Sequence, residues 1–135
     1  IIPCNGFYYW RNEGKRSCAV RVVLPGQAMF AVAGLYEVWK DTRKEPLRTC
    51  TMLTTVANTA IREFDSRMPA ILTAEQAERW LDPNIQEMDR LMPLLQTYEE
   101  TDMQIYPVTP LVGDDQHDTR QCIQEMDLKL AWFKP

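Results

Sequence analysis

Groups that ordinarily carry chemistry are scarce in this sequence. A single histidine stands among 135 residues, and the four cysteines, Cys4, Cys18, Cys50 and Cys122, are scattered without a CxxC pair. That spacing excludes the common zinc frameworks and favours reduced thiols in a cytoplasmic setting over a disulfide scaffold. No apolar run approaches the roughly 20 residues of a membrane-spanning helix, so no membrane partner is expected. The Walker loop, the GxGxxG fingerprint and the GxSxG nucleophile elbow are absent, which removes the familiar phosphate cradles and hydrolase nucleophile. No cofactor and no metal are expected. A net charge of −4 excludes a broadly basic nucleic-acid binder, so any basic groove must be local. Internal repeats and low-complexity tracts are lacking too.

What is there is globular. An apolar fraction of 45% with 25% charged residues rules out global disorder. A chain of this length buries roughly two thirds of its unfolded surface, which predicts one domain over residues 1–135.

The most informative stretch is 49–72. Thr49–Val56 is rich in β-branched residues and predicts a buried strand. Asn58 is placed to cap a short helix over Thr59–Phe64, with Ala60, Ile61 and Phe64 at helical spacing. Asp65, Ser66 and Arg67 form a polar corner, and Pro69 pushes Met68 into an extended conformation before the apolar run Ala70–Leu72. Such a geometry lifts a few polar side chains out of a packed sheet and holds them still.

Around it, Phe7–Trp10 is an aromatic strand, with Phe7 and Tyr9 on one face and Tyr8 and Trp10 on the other. A turn carrying Gly14 links it to the strand Ser17–Leu24, which predicts a hairpin over 6–24. Pro25-Gly26 is a second turn. The apolar run Ala28–Trp39 reads as strand, with Gly34 marking a bulge or a close backbone approach. Thr73 and Gln76 have capping-box spacing and open a helix to Trp80. Ile85, Met88, Leu91, Met92 and Leu95 share a helical face interrupted by Pro93. A strand over Met103–Val108 precedes the polar loop Gly113–Asp118 and an amphipathic segment, Ile123–Phe133. His117 beside Asp118 reads as a solvated loop histidine, and Asp114, Asp115 and Asp118 lack the alternating ligand pattern of a calcium loop.

Taken in order, several segments resemble the SOS-response-associated peptidase (SRAP) family of abasic-site-processing proteins. Ile2–Trp10 is similar to the family's IPADGFYEW strand, Phe30–Trp39 to FAGLWE-W, Thr51–Asn58 to TIITTEAN and Phe64–Leu72 to IHDRMPVIL. Trp80-Leu81 and Tyr106–Pro110 resemble the later WL and YPVSP elements. The resemblance implies an α+β fold, a mixed or barrel-like β-rich sheet with flanking helices, around a cleft for single-stranded DNA. It also implies covalent capture of abasic sites by an N-terminal cysteine, through its thiol and α-amine, together with self-cleavage.

Against that pattern the chain begins Ile1-Ile2-Pro3, already strand-like, and is expected to be the C-terminal two thirds of an SRAP-like domain whose missing N-terminal segment is a partner. Tyr9 stands in the family's glutamate position and Asp65 in its histidine position. A phenol with an ordinary pKa of about 10 cannot replace a carboxylate as base, and an aspartate cannot shuttle protons near pH 7 as imidazole does. Both catalytic positions are therefore expected to be inactive. Leu111 replaces a family arginine. Thr54 and Arg67 match DNA-path residues, and Trp10, with Tyr9, offers an aromatic surface for base stacking. The alternative is a non-catalytic protein-interaction or regulatory remnant without DNA binding.

Overall fold

A computed structural model describes residues 1–40, 45–99 and 103–132. The chain forms two compact units: Ile1–Cys4 with Met29–Glu99, and Asn5–Ala28 with the described part of Glu100–Pro135.

The second unit is built on a three-stranded antiparallel sheet. Strands β2 (Phe7–Glu13) and β3 (Arg16–Val23) form the expected hairpin, registered from Phe7 opposite Val22 to Glu13 opposite Arg16. Gly14 turns it with φ of 58°, in the left-handed region that glycine enters without penalty. Phe7 and Tyr9 meet edge to face at 5.7 Å, as side chains two apart on one strand face should. Strand β10 (Gln104–Pro107) adds to the other edge of β3, leaving β3 central and buried from Cys18 to Val22. The segment after β10 forms two short 3-10 turns, Pro110–Gly113 and Arg120–Ile123. Within the amphipathic segment read over Ile123–Phe133 the single turn α3 (Leu128–Ala131) is α-helical, and Phe133 lies outside the described residues. Asp127 caps that turn by accepting from the Lys129 amide.

In the first unit, β1 (Ile2–Cys4), β4 (Phe30–Val32) and β9 (Ile71–Leu72) form an antiparallel sheet in the order β1-β4-β9. Strand β5 (Gly34–Trp39) pairs with β6 (Leu47–Met52), and β7 (Thr54–Val56) with β8 (Arg67–Pro69). The continuous run read over Ala28–Trp39 is thus broken at Ala33, and Thr49–Val56 is broken at Leu53. These breaks have one cause. The Ala33 amide donates to the Ala70 carbonyl, the Ala70 amide to the Leu53 carbonyl, and the Leu53 amide to the Ala33 carbonyl, each at 2.9 Å. Three chain segments switch strand partners at this ring, so three sheets diverge from it. Gly34 beside the ring is a close approach, as read: a Cβ there would come within 3.0 Å of the Ile2 side chain and of the Thr51 carbonyl.

Three other expectations are corrected. Thr49–Met52 is exposed rather than buried, because nothing described covers β6. Residues 59–64 form successive turns instead of a helix. Asn58 does accept the Ile61 amide at 3.0 Å, but its Nδ2 donates to the Tyr98 carbonyl at 2.9 Å, so the side chain fastens two segments as well as capping. The face from Ile85 to Leu95 is helical only over α2 (Met88–Leu91), with Pro93 folding the next residues into a 3-10 turn. Helix α1 (Ala74–Leu81) matches its capping signal: Thr73 accepts the Gln76 amide and the Gln76 side chain accepts the Thr73 amide. It packs with Leu91 and Leu94 on Ala33, Ala70 and Leu72, the core below the ring.

Candidate functional site

Strands β7 and β8 place the polar corner. In their register Thr54 opposes Pro69, Thr55 opposes Met68 and Val56 opposes Arg67. Period-two alternation puts Thr55 and buried Met68 on the inner face, and Thr54, Val56 and Arg67 on the exposed one. Arg67 reaches diagonally back across the pair. Its Nε donates to the Thr54 hydroxyl at 2.8 Å, and one terminal nitrogen donates to the Thr54 carbonyl. The guanidinium is therefore both exposed and oriented. Asp65 fastens the corner from the chain side, its carboxylate accepting the Arg67 amide at 2.9 Å. This Asx-type turn gives the Asp65 carboxylate a structural task. Thr97 donates to the Val56 carbonyl at 3.0 Å and pins the end of β7.

Tyr9 and Trp10 belong to the second unit. Tyr9 packs edge-on against Phe7, opposite Val20. Trp10 is half-buried against Gly113, where an added Cβ would lie 3.0 Å from its ring. Leu111 sits partly exposed in the 3-10 turn that begins at Pro110. The structure brings Thr54, Asp65 and Arg67 together within the first unit.

Sequence reasoning passed over Arg21, the only buried charged side chain among the described residues. Its guanidinium donates to the Tyr106 hydroxyl at 2.6 Å and to the Asn5 carbonyl at 2.9 Å, and its Nε has no partner. No described carboxylate pairs with it. Gly6 closes over it: a Cβ at that position would fall 2.9 Å from Nε. The Tyr8 and Tyr106 hydroxyls donate onward to the Cys122 and Ile123 carbonyls. Partial burial pushes the Tyr8 phenol up, against the opposing pull of Arg21. The available signal was an arginine within the apolar strand Ser17–Leu24.

His117, partly exposed in the loop after the first 3-10 turn, pairs with Asp114 at 3.0 Å. The Gln116 amide, and then His117, hold the Asp114 carboxyl below its ordinary range. Among the described residues no cluster of His, Cys, Asp and Glu has the arrangement of a metal site, and no helix is long and apolar enough to cross a membrane.

The family model for SOS response associated peptidase (SRAP) matches residues 1–115. The chain belongs to the SRAP family. Two Bacillus subtilis proteins named as abasic site processing proteins, YoqW and YoaM, are 38% and 36% identical over 125 and 124 residues, 92% and 91% of this chain. The matches cover 56% and 55% of those proteins, so this SRAP chain spans about half the length of the curated relatives it matches. A crystal structure of a Bacteroides thetaiotaomicron protein superposes with a TM-score of 0.85 at 27% identity, covering 93% of this chain and 56% of that one. The α+β SRAP fold expected from the ordered motifs is the fold observed.

Proposed function

We propose that this SRAP chain serves the DNA-damage (SOS) response by recognising single-stranded DNA at abasic sites through Arg67 and Thr54. Covalent capture and self-cleavage, the chemistry implied by the family resemblance, are impaired by Tyr9 and Asp65. The observation that carries the reading is the Arg67–Thr54 pair. Two hydrogen bonds hold an exposed guanidinium on a paired strand, so its ordering cost is met on folding and not on binding. A planar, permanently charged fork of this kind suits phosphate oxygens. Trp10 supplies stacking with the accessible part of its ring. Asp65, already accepting the Arg67 amide, serves the corner and not proton transfer.

Fluorescence anisotropy with a labelled single-stranded oligonucleotide at two salt concentrations tests the reading. Binding weakens with salt, since each phosphate contact releases counterions. Arg67→Ala weakens binding on the order of 1–3 kcal/mol, and Thr54→Val weakens it less. Unchanged affinity with a lowered melting temperature makes Arg67 a fastener of β7 to β8 and removes the DNA assignment. Denaturing electrophoresis after incubation with an abasic oligonucleotide is expected to show no adduct; a heat-stable shifted band overturns the impaired chemistry. The second reading, a protein-interaction role without DNA binding, is favoured by one feature, the exposed apolar hairpin β5–β6.

A further inference from the structure

Arg21 is a buried cation with no described carboxylate beside it, and Asn5 stands where one would serve. One guanidinium nitrogen, Nη2, donates to two oxygens of Asn5, the main-chain carbonyl at 2.9 Å and the side-chain Oδ1 at 3.2 Å. Asn5 is itself exposed to water. The next residue is Gly6, and no other asparagine precedes glycine: Asn12, Asn58 and Asn84 are followed by Glu13, Thr59 and Ile85. Asparagine before glycine is the pair whose side chain cyclises most readily, because no Cβ shields the glycine amide nitrogen. Packing holds the glycine in place. A Cβ on Gly6 would fall 2.9 Å from Nε of Arg21 and 2.9 Å from the Val22 carbonyl.

We propose that Asn5 is a self-modification site: its side-chain amide becomes a carboxylate by cyclisation on the Gly6 nitrogen, and Arg21 both assists the conversion and pairs with the product. The Gly6 amide first gives up its proton, and the charge left on that peptide group rests largely on the Asn5 main-chain oxygen. The Gly6 nitrogen then attacks Cγ of Asn5, forming a C–N bond and placing negative charge on Oδ1. Both oxygens already accept from Nη2, so one guanidinium sits where charge develops in each step. The Cγ–Nδ2 bond breaks, and Nδ2 leaves as ammonia with the proton that Gly6 gave up. Water, the one co-reactant, then opens the ring. Opening at Cγ restores the ordinary main chain with aspartate at position 5; opening at the main-chain carbonyl gives isoaspartate, with one more carbon in the main chain. The second path lengthens the chain beside Gly6, which is already packed against Arg21. The first gives a buried cation an anion, a stronger partner than the neutral amide. Aspartate is therefore the favoured product. Neither Arg67 nor Thr54 takes part, so this inference and the DNA-binding reading can each fail alone.

The test holds the freshly prepared 135-residue chain at neutral pH for several days, folded and, in parallel, unfolded in guanidinium chloride. Trypsin releases Ile1–Arg11, in which Asn5 is the sole asparagine, and mass spectrometry reads the change from amide to acid. Labelling by an isoaspartate-specific methyltransferase separates the two products. The folded chain is expected to convert at Asn5, with a ratio of aspartate to isoaspartate about tenfold above that of the unfolded chain, the effect of one charge-assisted hydrogen bond. Asn5→Asp, which carries the product from the start, should melt above the fresh chain at neutral pH and lose that advantage in acid, as the carboxylate protonates. Arg21→Lys should bring the product ratio down to the unfolded value. If that variant does not fold, the two arms of the unaltered chain decide alone. Three results overturn the proposal: Asn5 left intact in the folded chain, the same product ratio folded and unfolded, or Asn5→Asp melting no higher than the fresh chain.

Discussion

Arg21 lies opposite Tyr8 in the β2–β3 register and ties together strands far apart in sequence. A buried cation is tolerated only when dipoles replace its water, and here two phenols and Asn5 do so in place of a carboxylate. Arg21→Met is expected to lower unfolding free energy on the order of 3 kcal/mol, since it leaves the Tyr106 and Asn5 acceptors unserved. Arg21→Lys should recover little of the loss, because an ammonium lacks the planar fork. Urea denaturation of the three proteins measures this; a loss under about 1 kcal/mol would mean the network is dispensable. At this scale the sequence spoke unevenly. Gly14 and Gly26 announced their turns, and both adopt positive φ. Arg21 was marked only by its place in an apolar strand, between Val20 and Val22, because its burial depends on Gly6, Tyr106 and Asn5, none of them a strand neighbour in sequence.

Elements whose signals are local were legible, and elements decided by distant partners were not. The capping box at Thr73 needs only residues within one helical turn, and it is present in full. The turns over 59–64 instead answer to Tyr98 and Met68, which reach Asn58 from elsewhere in the chain. The corner at Asp65–Arg67 was legible as a polar turn, but the Thr54 contact required the β7–β8 register. The loop Asp114–His117 gives a pH-dependent expectation. The Asp114 pKa is lowered in the fold by the Gln116 amide and His117, so its contribution is present above the ordinary carboxylate range and lost as pH falls through the folded value. Amide signals of Gln116 and His117, followed by NMR down an acid titration, should shift in that window. Asp114→Asn should abolish the transition, and an unaltered titration in the variant would assign it to another group.

Across the whole molecule, the order of motifs carried the family because each motif is a strand or corner that the fold reuses. Coverage of the hairpin was not legible: its apolar residues predict burial, and what would bury them is not written in their own pattern. The ring of Ala33, Leu53 and Ala70 bears on how the first unit assembles in time. Two of its hydrogen bonds extend the β5–β6 and β7–β8 hairpins, but the third, from Ala33 to Ala70, joins β4 to β9, so closure waits for three separated segments to arrive together. Its interactions should be largely absent from the folding transition state. Ala70→Gly is therefore expected to accelerate unfolding while leaving the refolding rate nearly unchanged, in stopped-flow kinetics across a denaturant series. A refolding limb slowed by the full loss of stability would instead make the ring the nucleus. If it closes last, it acts as a latch: the β5–β6 and β7–β8 hairpins form early and separately, and the unit resists opening only once Ala33, Leu53 and Ala70 have each found the next.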